Sequence, residues 1–481
     1  MEFLIDILRW VLNNFLFIIT IAIFSAYVLL AAFSAMTLRK YLRKNSYVDY
    51  NSIILSPLAP SISLIAPAYN EGKSIVENVR ALLSLYYNNF EVIVVNDGST
   101  DNSMKECIEA YNLEKVNYYF DYRIPCEKIR GVYKSKNRSF YNLTFIDKVN
   151  GGKADALNAG INVSRNKLIV SIDADSIMEP DALQKMAKPF LEETGKKVIG
   201  TGGVVRIINS CEIKSGKIRK IHLPKNFLAR VQVLEYTRAF LMGRIAWARL
   251  DGLLLISGAL GMFDKETVIK CGGYSTKTVG EDMELVVRMR RYMVESGQKY
   301  VVTYIPDPLC WTEVPSSLKI LGRQRNRWTR GTAETLFSHK KIFLNPKYKS
   351  FGIFGYTYWF FFEWLTPIFE FFGISFFILY AIFSTPNWPF AILLFSFVYT
   401  FAVSLTVWAV LFEELTYHKY EKKRDVLRLI GTAFLEPFLY HPLTLVWAVK
   451  GNWSFLTGQK SWGKMDRKGF GTKKNSDSSA T

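Results

Sequence analysis

Two stretches without a single charged residue limit what this chain can become: VLNNFLFIITIAIFSAYVLLAAF at 11–33 and WPFAILLFSFVYTFAVSLTVWAVLF at 388–412. Each exceeds the roughly 20 apolar residues that a helix needs to cross a hydrocarbon core. A third apolar run, from Phe351 to Phe383, is rich in Phe and Tyr but interrupted by Glu363, Pro367 and Glu370. The chain therefore reads as an integral membrane protein. The first stretch is too long for a cleaved leader and has neither a basic flank before it nor a convincing cleavage site. Arg39, Lys40, Arg43 and Lys44 follow it, whereas Glu2 and Asp6 precede it. The positive-inside rule then puts residues after 36 in the cytoplasm.

The 481 residues carry a net charge of +19. The basic residues are scattered and form no nucleic-acid motif, so nucleic acid is not an expected partner. Anionic lipid and an anionic substrate give them sufficient use. Cys107, Cys126, Cys211, Cys271 and Cys310 are odd in number and include no Cys-x-x-Cys pair. Neither a disulfide framework nor a zinc site follows.

Between about 60 and 345 the pattern alternates strand and helix. SISLIAPAYNE (61–71) and FEVIVVNDGST (90–100) read as buried strands running into polar loops, and GGKADALNAGINVS (151–164) as a turn opening a helix. LIVSI (168–172) is a strand that ends in Asp173-Ala174-Asp175. This order predicts an α/β fold with a mostly parallel sheet, whose ligands sit beyond the carboxyl ends of the strands. Asp173 and Asp175 are two apart, so they share a face and can reach one hard cation that also holds phosphate oxygens. A helix cap is the plainer use for such residues. Residues 112–147 read as an insertion without an assignable role. The tail KKNSDSSAT reads as disordered.

Further on, LISGALGMFDKETVIKCGGY (255–274) sets small residues at a turn, VGEDMELVVRMRR (279–291) puts Glu281-Asp282 at a helix start, and RQRNRWTRG (323–331) holds Gln324, Arg327 and Trp328 in the spacing Q-x-x-R-W. In this order, Asp97, Gly-Gly-Lys, Asp-x-Asp, Glu-Asp and Gln-x-x-Arg-Trp, the chain resembles the membrane-integrated, processive family 2 glycosyltransferases of the cellulose, hyaluronan and poly-N-acetylglucosamine synthase kind. The resemblance covers about 60–335. It implies a GT-A-type, Rossmann-like catalytic domain over 37–350, with an interfacial helix around 318–340. This domain would lie between an N-terminal span (1–36) and channel-forming helices (351–450), with a basic cytoplasmic tail at 451–481. The expected location is the plasma membrane, with the catalytic domain in the cytoplasm.

The resemblance also implies roles. Asp97 and Lys153 would hold the base and ribose end of a UDP-sugar donor, beside Pro67, Tyr69 and Glu71. Asp175, helped by Asp173, would bind Mg2+ or Mn2+ on the diphosphate; Asp173 could instead hold the ribose. Arg327 would contact the pyrophosphate, and Gln324 the acceptor or the diphosphate. Asp282 would be the general base, with Glu281 beside it; Gly280 departs from the family's usual Thr-Glu-Asp. Trp328, Ser257, Gly258 and Glu281 would receive the growing polysaccharide. Each has a plainer use: a turn residue at Asp97, a cap at Asp282, a solvated lysine at Lys153, membrane-surface packing at Trp328. Arg325 and Arg330 read as lipid- or phosphate-facing helpers.

Glu363 and Glu370 would face one side of a helix, as a polar stripe in a channel or as headgroup-level residues. Residues 425–450 read as an interfacial pair of helices broken at Glu436-Pro437 and His441-Pro442. Three spans are few for a channel, which leaves room for a homo-oligomer or accessory subunit. RWTRG resembles the cellulose synthase string more than RWAQG, which points to UDP-glucose and a 1,4- or mixed 1,3/1,4-linked β-glucan secreted across the membrane. The alternatives are UDP-N-acetylglucosamine with a poly-N-acetylglucosamine or hyaluronan-type product, a non-processive lipid glycosyltransferase, and a transporter with a degenerate transferase domain.

Overall fold

In a computed structural model of the chain, the described residues are 16–192, 195–214 and 216–459. Glu2 and Asp6, used above for orientation, and the basic tail from 460 onward lie outside them. The first apolar stretch forms helix α1, Leu16–Asn45, which ends on Arg43 and Lys44.

The apolar runs pair as strands in one sheet because each can bury both faces between helices. Strands β1 (Ile62–Ala68), β2 (Phe90–Asn96) and β6 (Leu168–Ile172) lie side by side and parallel. The 112–147 segment is not an insertion. It supplies β3 (Leu113–Val116), β4 (Ile129–Ser135) and β5 (Leu143–Lys148), and β5 runs parallel to β2. Beyond β6 come β7 (Ile177–Met178), β8 (Lys197–Ile207), the small separate hairpin β9 (Glu212–Lys214) and β10 (Lys217–Lys220), β11 (Leu260–Asp264) and β12 (Tyr300–Thr312). The large sheet has the order β3-β4-β5-β2-β1-β6-β11-β8-β12-β7, with β11 antiparallel to both its neighbours.

Helices α2 (Lys153–Val163), α3 (Phe227–Thr237), α4 (Glu281–Glu295) and α5 (Leu318–Ser338) carry or border the motifs. Buried Val92, Val94, Leu168, Val170 and Leu64 make the centre of one core layer, and Ile65, Ile93, Ala156, Ile169 and Leu285 the other. The sheet is therefore covered on both faces.

Three helical stretches are long and apolar enough to cross a membrane: Thr20–Asn45, Phe351–Phe383 and Trp388–Tyr417. The second is π-helical over Phe351–Tyr356 and Trp359–Leu365 before helix α6, Thr366–Phe383. Glu363 and Glu370 therefore do not share one regular α-helical face, and Glu370 meets His441 at 2.8 Å. Helix α7 is Trp388–Tyr417. The ambiguous 425–450 stretch forms α8, Lys423–Leu439, and α9, His441–Leu456, bent by 51°. Pro437 stays inside α8, and the break falls at Tyr440, before Pro442.

Candidate active site

The carboxyl ends of β1, β2 and β6 open toward the starts of α2 and α4, which brings the motifs together. At the end of β2, Asp97 is buried. Its carboxylate accepts hydrogen bonds from Lys148 Nζ at 2.6 Å and from the Gly151 and Gly152 amides at 3.0 and 2.8 Å. Lys148, itself fully buried, reaches Asp155 at 2.6 Å as well. Burial pulls the Lys148 ammonium down, but the two aspartates outweigh it and hold its pKa above the ordinary range. Asp97 thus fixes the Gly-Gly turn that launches α2. Gly152 there has φ +88, a conformation that glycine adopts without strain.

That turn aims Lys153 at Asp173, Gly258 and Glu281. Its Nζ stands 2.5 Å from Asp173 Oδ1 and 3.8 Å from Glu281 Oε1, and donates to the Gly258 carbonyl at 3.1 Å. One ammonium therefore ties the β6 tip, the 257–259 loop and the start of α4. Burial lowers its proton affinity, yet Asp173 and Glu281 raise it by more. Asp282 Oδ2 accepts from the Gly258 amide at 2.8 Å. Asp282 Oδ1 accepts from its own neighbour Met283 N at 2.8 Å within the first turn of α4, whose N-cap is Gly280, not Asp282. Buried Glu281 is pushed up first by desolvation and further by Asp282, against the pull of Lys153 and Arg327.

Asp175 is buried behind Asp173. Among the described residues no group of three or more His, Cys, Asp or Glu side chains could hold a metal ion. Pro67 closes β1 half-buried, and Tyr69 is exposed beside Asn70, whose side chain accepts from the Thr100 amide at 2.8 Å. Glu71 donates its amide to Ser103 Oγ at 2.9 Å. Ser257 sits in the loop with Gly258, half-buried.

Helix α5 carries Gln324, Arg327 and Trp328, and of these Arg327 approaches the same centre. Arg327 is close enough to Glu281 to lower its pKa. Gln324 buries its side-chain oxygen without a hydrogen bond. Trp328 is partly exposed, with the Arg325 guanidinium 4.1 Å from its ring centre. Arg325 and Arg330 are not lipid- or phosphate-facing. Arg325 is buried on Glu235 at 2.6 Å, and Arg330 donates to the Gln459 carbonyl at 2.8 Å. Gly280, the departure from Thr, has a steric reason: a Cβ there would lie 2.9 Å from Gly331 Cα, and one on Gly331 2.8 Å from Gly280 Cα. α5 and the start of α4 touch backbone to backbone.

Sequence reasoning missed Lys148 and Arg290. Lys148 ends an apolar strand with a charge, the same signal that singled out Asp173. Arg290 is fully buried and donates to the Asp251 and Leu253 carbonyls at 2.8 Å each, holding the approach to the 257–259 loop.

A family profile described as glycosyltransferase-like family 2 matches residues 59–331, more than half of the chain. The chain belongs to glycosyltransferase family 2. This glycosyltransferase is 27% identical over 276 residues to a poly-β-1,6-N-acetyl-D-glucosamine synthase of Staphylococcus epidermidis, covering 57% of this chain and 55% of that one. It is 28% identical over 296 residues to the synthase of that name from Staphylococcus aureus, covering 61% and 59%. The glycosyltransferase thus spans less than two thirds of the curated relatives it matches. A mannosyltransferase from Pyrobaculum calidifontis, solved with GDP-Man and Mn2+, shares its fold at a TM-score of 0.50 and 16% identity, covering 91% of this chain and 99% of that one.

Proposed function

We propose that this glycosyltransferase is a membrane-embedded, processive polysaccharide synthase that joins N-acetylglucosamine units from UDP-N-acetylglucosamine, with inversion, and passes the polymer along its apolar helices. The observation that carries this reading is the meeting of Lys153, Asp173, Gly258 and Asp282 at one point, against the helix that bears Gln324, Arg327 and Trp328. The relatives named as poly-N-acetylglucosamine synthases favour that sugar over glucose. The sequence ground for a β-glucan weakens as well. Arg330 of RWTRG is buried against Gln459 and Glu334, and Thr329 lies against Gly451, so neither is positioned to read a donor sugar.

In this reading the acceptor hydroxyl gives its proton to Asp282 as its oxygen attacks the anomeric carbon, and the nucleotide diphosphate leaves. The Gly258 amide, donating at 2.8 Å, orients the Asp282 carboxylate toward that hydroxyl. Tyr69 and Pro67 offer faces to the base, and Trp328 offers its ring to the terminal sugar. Arg327 reaches toward the leaving diphosphate. A divalent ion fits the donor set. With no cluster of three protein ligands, it would take Asp175, with Asp173 in reserve on Lys153, and complete its shell with water and phosphate oxygens, as Mg2+ does. When bound it would neutralise charge on the departing diphosphate.

Export is supported by largely buried polar pairs between the catalytic domain and the apolar helices. Arg238 grips Glu436 of α8 through two nitrogens at 2.8 and 2.5 Å, and Tyr440 joins Glu235 at 3.2 Å. Charges at such depth are costly unless they pair or line a wet path.

The deciding experiment supplies labelled UDP-N-acetylglucosamine and UDP-glucose separately to the purified protein with Mg2+ or Mn2+, and sizes the product. Long polymer from the acetylated donor alone supports the reading. Long polymer from glucose alone restores the glucan reading, and short lipid-linked product removes processivity.

A further inference from the structure

Outside the active site, one face of the protein concentrates positive charge in excess of its acids, which are Glu212, Glu421 and Asp425. The β9–β10 hairpin carries Lys214, Lys217, Arg219 and Lys220, and its one acid, Glu212, is taken by His222 at 3.2 Å. Among the described residues, none of these four cations has a carboxylate partner within ion-pair distance. The strand leaving the hairpin lays Ile221 and Leu223 into one apolar cluster with Tyr420, Val426 and Leu429. Tyr420 lies just past the end of α7, and Leu429 is on α8. The hairpin therefore sits where a membrane-crossing helix emerges on the side of the catalytic domain.

Helix α8 continues the pattern. Its entry adds Lys422, Lys423 and Arg424, again without ion pairs among the described residues. Arg428 has only Asp425 at 3.8 Å and lies near Arg230 of α3. Arg230 also lacks a carboxylate and instead donates to the Thr432 hydroxyl at 3.2 Å and the Lys225 carbonyl at 2.7 Å. Burial and the neighbouring Arg428 hold its guanidinium below the ordinary value, as two like charges left together require. Further along the same helix, Leu427, Phe434, Leu435 and Phe438 are exposed. They recur at helical spacing and so share one outward side. Cations at one end and an open apolar side at the other complement a molecule with an anionic head and acyl chains.

We infer that the β9–β10 hairpin and the first turns of α8 form a binding surface for anionic phospholipid of the adjoining leaflet. Headgroup phosphate lies among Arg219, Lys220 and Arg428, and the acyl chains lie along Leu427 and Phe434. A soluble phosphate would use the cations but leave the apolar side bare, which is why lipid is the fitting occupant. This rests on α7 crossing the bilayer, but not on the identity of the sugar or on turnover.

The test uses the full chain in mixed micelles of phosphatidylglycerol and phosphatidylcholine, with retained lipid quantified by mass spectrometry. Wild-type protein is expected to retain phosphatidylglycerol preferentially, and Arg219→Gln/Lys220→Gln/Arg428→Gln to lose that preference, by about fivefold per charge removed. A control, Lys105→Gln/Lys115→Gln, removes charge from the edge strand β3 and the helix just before it, and should keep the preference. Matching thermal midpoints among the three proteins exclude misfolding as the cause. Equal retention of both lipids by wild type would overturn the inference, as would equal losses in triple variant and control. Displacement of the lipid by glycerol phosphate would also overturn it, by showing a site for a soluble anion.

Discussion

Lys153 is the residue on which the centre depends, because it holds Asp173 and Glu281 with one charge. Replacing it with Gln removes one of the two cations that hold Glu281 down, so Glu281 should bind its proton at still higher pH. The acid limb of the pH–rate profile is expected to move upward. The stability sign follows. An acid whose folded pKa is raised by burial gives stability below its unfolded pKa and loses it as pH rises through the folded value. Lys153→Gln widens that interval, and urea unfolding followed against pH checks it. Asp282→Asn keeps the acceptor for the Gly258 amide but removes the base. Transfer should fall about 10²–10⁴-fold while calorimetric binding of UDP stays near wild type. Substantial polymer synthesis by this variant would remove Asp282 from that role.

At the scale of elements, the decisive contact is between α5 and the start of α4. Gly331→Ala must move backbone, since the nearest atoms are Gly280 Cα and N at 2.8 Å. A shift of about 1 Å can cost roughly 100-fold in rate, so turnover should drop with little change in the donor KM. Gly280→Ala should act alike, and the double variant should be far less than additive, since both substitutions strain one contact. The sequence allowed β1, β2 and β6 to be read because each is an apolar run that stops at polar residues. It did not allow β3, β4 and β5 to be read in 112–147, where only β5 pairs with β2, across distant sequence, and β4 reaches the sheet through β5. The motif residues were legible as types, but their partners were not. Lys148 on Asp97, and Arg325 on Glu235, depend on which strands and helices become neighbours. The departure at Gly280 had no reason until Gly331 was seen against it.

Across the whole molecule, the catalytic domain is tied to the apolar helices by buried charge pairs. Glu413 of α7 meets Arg206 of β8 at 3.2 Å and Lys419 at 3.6 Å, and Glu436 of α8 meets Arg238. Removing one partner of a buried pair typically costs about 3–5 kcal/mol, whereas replacing both with apolar groups can be neutral. Glu436→Gln is therefore expected to lower the thermal midpoint in detergent, and Arg238→Met/Glu436→Leu to recover much of it. If the single variant is as stable as wild type, the pair does not hold the two parts together.

The glycine contact between α5 and α4 gains a further meaning at this scale. On its other side, α5 lies equally close to α9, where Gly322 faces Trp447 and Gly451 faces Thr329. There the contacts run through the Trp447 and Thr329 side chains, which can change rotamer and absorb a displacement, whereas the bare backbone between α5 and α4 cannot. A disturbance at the membrane end would thus be softened before it reaches α5, while any shift of α5 itself would pass undiminished to Asp282.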